Sequence, residues 1–175
     1  MKFCCHCGQP VRFDIPPEDD RPRFICDHCS VIHYQNPRVI VGTLPTWKED
    51  VLLCKRAIEP RLGWWTLPSG FLENGETVED GAVRETVEEA CADVTLVRLF
   101  SVFSMPHINQ VHLLFFARLE NPEFAAGLET EETRLFSRAD IPWDQLAFRA
   151  VTFALQNFCE RTGHENGPVY MGMYG

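Results

Sequence analysis

Two sets of side chains carry the spacing of metal chemistry. Cys4-x-x-Cys7 and Cys26-x-x-Cys29 flank residues 8–25, the arrangement in which paired thiolate turns close a tetrahedral zinc site. Cys5, His6 and His28 crowd the same turns and offer substitute ligands. The second set is Glu85, Glu88 and Glu89. On a helix, Glu89 lies about 40° and Glu88 about 60° from Glu85, on opposite sides of it, so the three carboxylates share one face. Carboxylate oxygens suit Mg²⁺ or Mn²⁺, which keep waters and phosphate oxygens as their other ligands. Like charges at these spacings repel, and Arg84 is the one cation beside them within the helix. On their own, three such glutamates read better as a solvated acidic face.

Local signals supply the elements that must hold these groups. Thr77 followed by Asp80 opens a helix in the manner of a capping box and carries the glutamates to about Ala92. Val83, Val87 and Ala90 are expected to face the core, with the carboxylates on another side. A second helix is predicted over 148–161, with Val151, Ala154, Leu155 and Phe158 on one stripe and a stop before Gly163. β-type runs occupy 39–44, 51–54, 94–103 and 111–119. Around the cysteines, Val11 to Phe13 and Val31 to Tyr34 read as short hairpin strands, and the proline-rich, acidic 14–23 as the turn between them. Few helices and many strands imply an α+β class with a mixed sheet. The expected division is a zinc ribbon over 1–35, a main domain over 36–163 and a flexible tail over 164–175. A ribbon of this size has too little core to fold unaided, which gives zinc a structural job.

At 175 residues and 45% hydrophobic, with 23% charged residues and 13 Phe, the chain is globular and too short for two large domains. Its net charge of −9 argues against a nucleic-acid partner held through phosphates. No apolar run reaches membrane-spanning length, and Met1 to Cys5 lacks a secretory pattern, so the expectation is a cytoplasmic protein without a membrane partner.

The glutamates keep specific company: Gly70, five residues, Glu76, seven residues, then Arg84-Glu85-x-x-Glu88-Glu89, approached by Trp65 to Ser69. This resembles the signature of the Nudix hydrolases, a loop–helix–loop that binds divalent metal and cleaves nucleoside diphosphates linked to another group. The resemblance implies a Nudix fold with Gly70, Glu85, Glu88 and Glu89 as the magnesium (or manganese) site. Arg84 would hold a glutamate and Glu76 would support the loop. The catalytic base would be a box glutamate or a later carboxylate from Glu129, Glu131 and Glu132, of which Glu132 is carried forward. Thr86, Cys91 and Ala92 depart from the pattern; Cys91 in place of glycine is expected to change where or how the helix ends.

From Cys4 to Leu146 the chain is also similar to zinc-ribbon Nudix proteins related to FAD and ADP-ribose pyrophosphatases. The carrying segments are 20–23, 32–37, 56–61, 106–111 and 141–143. The implied substrate is a small dinucleotide, FAD or ADP-ribose, giving AMP. Phe103, His107, Asn109 and Gln110 would receive the base; Arg56 and Arg61 could clamp phosphates, although lone arginines are more often surface residues, and Trp64 and Trp65 read as core. A second branch hydrolyses NADH and removes NAD caps from RNA, but carries Ser-Gln-Pro-Trp-Pro-Phe-Pro where this chain has Ser104 to Gln110. A third reading is a binding ribbon on an inactive scaffold. Homodimer formation is left open.

Overall fold

The computed structural model describes residues 1–160 and 164–175. The chain divides into two compact units, Met1–Pro37 and Arg38–Gly175. In the first, β1 (Arg12–Asp14), β2 (Arg23–Ile25) and β3 (Ile32–His33) form a three-stranded antiparallel sheet. Phe13 lies opposite Phe24 and Ile25 opposite Ile32. Among the residues of this unit only Cys4, Pro16, Ile25, Cys26 and His33 are buried, so the apolar core is small.

In the second unit, β4 (Arg38–Trp47) and β5 (Asp50–Arg56) make an antiparallel hairpin, joined by β6 (Trp65–Thr66) on β5 and β7 (Ser69–Phe71) on β4. Helix α1 (Val78–Ala90) follows, then the long antiparallel pair β8 (Val94–Met105) and β9 (Gln110–Leu119), and β10 (Thr130–Phe136). Helix α2 (Arg149–Glu160) and β11 (Tyr170–Met173) complete it. The order β10-β5-β4-β9-β8-β11, with β4–β9 and β8–β11 parallel, makes a mixed sheet.

Alternation along the strands sends side chains to two layers. Val41, Leu113 and Phe115 pack with Ala82 of α1, whereas Leu44, Leu114 and Phe116 pack with Val151, Ala154, Leu155 and Phe158 of α2. The predicted stripe of α2 is thus its core side; Arg161 and Gly163, predicted to end it, lie outside the described residues.

Three expectations are corrected. On α1 the buried positions are Gly81, Ala82, Glu85, Thr86, Glu89 and Ala90, and Val87 is exposed. Small residues bring the helix close to the sheet, so two of the glutamates border the packed side rather than standing apart from it. Thr86, where an aliphatic residue is usual, is fully buried and satisfied: its hydroxyl reaches the Ala82 carbonyl at 2.8 Å and the Thr43 hydroxyl at 2.6 Å. Cys91 does what glycine does. It takes the left-handed conformation (φ 46°, ψ 39°), donates its N–H to the Val87 carbonyl, and ends the helix after Ala90. The predicted loose tail is tied down as well. Tyr170–Met173 pairs with Ser101–Ser104 of β8, and Tyr170 packs on Phe100 at 5.0 Å. Edge pairing needs only backbone groups and a few contacts, so a Gly- and Pro-rich segment can supply it.

Candidate metal and dinucleotide site

Thr77 caps α1 by accepting the Asp80 N–H at 3.0 Å, which sets the phase of every side chain that follows. That phase lays the Glu85 carboxylate flat against Gly70: a Cβ on Gly70 would come within 2.4 Å of both Glu85 oxygens. One turn on, Glu89 Oε2 accepts the Ser69 N–H at 3.3 Å. Glu85 and Glu89 therefore meet at the Ser69–Gly70 backbone, and Glu88 stays exposed beside them.

Arg84 is the hub of this surface. Its guanidinium donates to Glu76 at 2.8 and 3.0 Å, Glu85 at 2.7 Å, Glu88 at 3.1 Å and the Phe71 carbonyl at 3.1 Å. The sequence suggested one glutamate held; the structure has three. Hydrogen bonding to Arg84 holds the Glu76 carboxyl down at about 2. Burial raises Glu85, against the pull of Arg84, and pushes Glu89 up to about 8, against the Ser69 N–H and the charge of Arg56. Each carboxylate still has one oxygen without a hydrogen bond to the described residues: Glu85 Oε2, Glu88 Oε1 and Glu89 Oε1. Three hard oxygens on a face short of positive charge fit magnesium or manganese. The three carboxylates are not gathered as the cysteine sulfurs are, because Arg84 and Ser69 draw them to different partners.

The later carboxylates separate. Glu132 stands opposite Lys55 on the β10–β5 ladder, after a register shift, and Glu131 pairs with Lys55 at 3.6 Å. Glu129 is the one whose charge raises both Glu85 and Glu89. Its loop docks on the end of α1: Gly127 donates to the Glu89 carbonyl at 3.1 Å, and a Cβ on Gly127 would fall 1.8 Å from the Glu88 carbonyl oxygen. Of the three later carboxylates, Glu129 is thus the one with an electrostatic influence on both buried glutamates. Arg56 is buried, donates to the Pro60 carbonyl at 2.8 Å and lies over Phe148; Arg61 stacks on Trp64, and Trp65 is core.

His107 and Asn109 form the turn between β8 and β9, and Gln110 opens β9 directly after it. Gln110 pairs with Arg38 on one side of β4 and Gly70 with Val41 on the other, so this turn lies about 10 Å along β4 from Gly70 and two strand spacings, about 10 Å, across it. The turn is held from the C-terminus: His107 Nδ1 lies 3.1 Å from the Tyr174 carbonyl oxygen, with the Tyr174 ring edge-on to His107 and under Arg149. Phe103 does not join it. Its ring is 5% exposed and packs on Phe153 at 5.1 Å, because its place on β8 points it into the α2 layer. The exposed aromatic near the glutamates is Phe71, 45% exposed, with the Arg38 guanidinium 4.9 Å above its ring. Its position directly after Gly70 was the available signal. A cavity of about 460 Å³ lined by Trp47, Arg118 and Arg138 among others contains none of these residues.

In the N-terminal unit the Sγ atoms of Cys4, Cys7, Cys26 and Cys29 lie within 4.8 Å of one another; among the described residues no other group of metal-ligating side chains is so gathered. Cys4–Cys29 is 3.6 Å and Cys7–Cys26 3.5 Å, near the roughly 3.8 Å that Zn–S bonds of 2.3 Å impose on a tetrahedron. The four sulfurs fit zinc.

Residues 36–155 match the NUDIX domain family, and residues 2–35 match the Nudix N-terminal zinc-ribbon family. The chain belongs to the Nudix family. A Nudix hydrolase of Nitrosomonas europaea is 50% identical in sequence, with a TM-score of 0.93 and 99% of each chain covered. A MutT Nudix hydrolase of Burkholderia pseudomallei is 27% identical, with a TM-score of 0.62 over 70% of this chain and 98% of that one. The NAD-capped RNA hydrolase NudC of Salmonella heidelberg (strain SL476) is 29% identical over 144 residues, 81% of this chain and 53% of that protein. The chain thus spans about half the length of the curated relatives it matches. As a Nudix protein it has the expected mixed sheet with two helices and the cysteine ribbon; among the described residues no helix is long and apolar enough to cross a membrane.

Proposed function

We propose that this Nudix protein hydrolyses the pyrophosphate bond of a dinucleotide, FAD or ADP-ribose, with release of AMP. The observation that carries the reading is the set of three spare carboxylate oxygens, those of Glu85 and Glu89 at the Ser69–Gly70 backbone and that of Glu88 exposed beside them. Bound there, magnesium or manganese supplies positive charge to the phosphate oxygens and polarises the attacking water. Glu85, Glu88 and Glu89 hold the ion, and Arg84 fixes the direction in which Glu85 and Glu88 point. Glu129 takes the proton of the attacking water. Arg56, close enough to act on Glu89, steadies a phosphate. The turn of His107, Asn109 and Gln110, about 10 Å along β4 and on the opposite side of that strand from Gly70, offers polar edges to a base, with Phe71 as the apolar surface.

A second reading is hydrolysis of NADH or of NAD-capped RNA, supported by the 29% identity to capped-RNA hydrolases. Initial rates on FAD, ADP-ribose, NADH and an NAD-capped RNA, each with Mg²⁺ and with Mn²⁺, choose between them. AMP release from FAD or ADP-ribose faster than from the others, abolished in Glu88→Gln and Glu89→Gln, is the expected result. Preference for NADH or capped RNA selects the second reading. No turnover on any of the four leaves a binding ribbon on an inactive scaffold.

A further inference from the structure

His33 ends β3 and is 8% exposed, a polar ring buried in a unit with very little core. Its two nitrogens face two different sulfurs. Nε2 is 3.3 Å from Cys4 Sγ, and Nδ1 is 3.6 Å from Cys5 Sγ. Cys4 belongs to the four-sulfur cluster; Cys5 and His33 do not. A neutral imidazole carries one N–H, so one nitrogen donates and the other accepts. A zinc-bound cysteine is a thiolate and can only accept, which puts the N–H on Nε2. Nδ1 is then an acceptor, and Cys5, as a thiol, has the proton to give it. Cys4 Sγ also takes the His6 backbone N–H at 3.4 Å. Four thiolates around one Zn²⁺ leave two surplus negative charges in a chain whose net charge is already −9, and donors aimed at a sulfur spread that charge.

We propose that His33 is a positioning residue of the zinc centre: it donates Nε2–H to the Cys4 thiolate, and the Cys5 thiol fixes its tautomer by donating to Nδ1. Cys5 is thereby a support of the site and not a substitute ligand. The same geometry explains why the adjacent Cys4 and Cys5 have separate jobs, one turned to the cluster and one to the histidine.

The test is zinc competition on the full chain against a chromogenic chelator, together with the absorption spectrum of the Co²⁺-substituted protein. His33→Phe keeps the ring volume and removes the donor; its zinc dissociation constant rises 10–100-fold, the usual scale for losing a partner of a metal ligand. His33→Gln, whose amide N–H can reach Cys4 Sγ, recovers most of that loss. In His33→Phe the thiolate-to-cobalt charge-transfer band moves while the d–d bands keep their four-sulfur tetrahedral form. Zinc affinity of His33→Phe equal to that of the unchanged protein overturns the proposal. A loss of the four-sulfur d–d pattern also overturns it, by making His33 a ligand. Cys5 is exposed, so its variants test the tautomer even where His33→Phe fails to fold. Cys5→Ser keeps a donor and the original affinity, Cys5→Ala binds zinc more weakly, and equal affinities of the two refute the role given to Cys5.

Discussion

Gly70 shows how one atom decides a site. A Cβ there would overlap the Glu85 carboxylate at 2.4 Å, and a carboxylate is the movable end of a side chain, so the strain of Gly70→Ala is relieved by displacing Glu85 rather than by disturbing the sheet. The expected outcome is a melting temperature close to that of the unchanged protein, weaker Mn²⁺ binding, and a rate lowered about 100-fold, the cost of misplacing a catalytic group by an ångström. Calorimetric Mn²⁺ titration beside a thermal melt reads both; full metal affinity in Gly70→Ala would show that Glu85 has no fixed place in the site. The resemblance to the Nudix signature implied that Gly70 and Glu85 belong to one site. It left the later carboxylates open: Glu129, whose charge raises both Glu85 and Glu89, stands in a loop docked on α1 through Gly127, whereas Glu132 follows a register shift on β10.

At the scale of elements, α1 carries a small stored cost at its end. Cys91 holds φ 46° and ψ 39°, a conformation that costs an L-residue with a Cβ roughly 1 kcal/mol or more relative to glycine. Cys91 is exposed, so its replacement disturbs no packing. Cys91→Gly should stabilise the second unit by about 1 kcal/mol in urea unfolding; an unchanged or lower midpoint would mean that the side chain contributes a compensating contact. The helix itself was legible because Thr77, Asp80 and a 3.6-residue rhythm are local signals. Its orientation was not. Val87 reads as apolar and was expected inside, yet β7 pairing with β4 sets Ser69 and Gly70 beside the helix, and Glu85 and Glu89 rotate toward them. The same holds for Phe103, whose place on β8 turned its ring into the α2 layer, and for β11, whose pairing with β8 uses backbone groups that no side-chain pattern announces.

For the molecule as a whole, buried ionisable groups make stability depend on pH in two opposed ways. His112 on β9 is 8% exposed, and burial lowers its pKa to about 4 from the ordinary 6.5. Below pH 6.5 the unfolded chain takes up a proton that the folded protein refuses, so stability is present above that pH and is lost as pH falls toward 4, by at most about 3 kcal/mol. Glu89 acts in the other sense. Its folded pKa of about 8 lies above the ordinary 4.5, so its contribution is greatest below pH 4.5 and declines as pH rises to 8. A single pH profile therefore mixes the two, and a difference isolates one. All four tryptophans, Trp47, Trp64, Trp65 and Trp143, lie in the second unit, so their fluorescence follows its unfolding without a signal from the ribbon. Between pH 7 and pH 4, the urea stability of the unchanged protein should fall more steeply than that of His112→Leu, which cannot titrate, and the two curves should run parallel above pH 7. Identical slopes across pH 4–6.5 would show that His112 takes its proton in the folded sheet as readily as in the open chain.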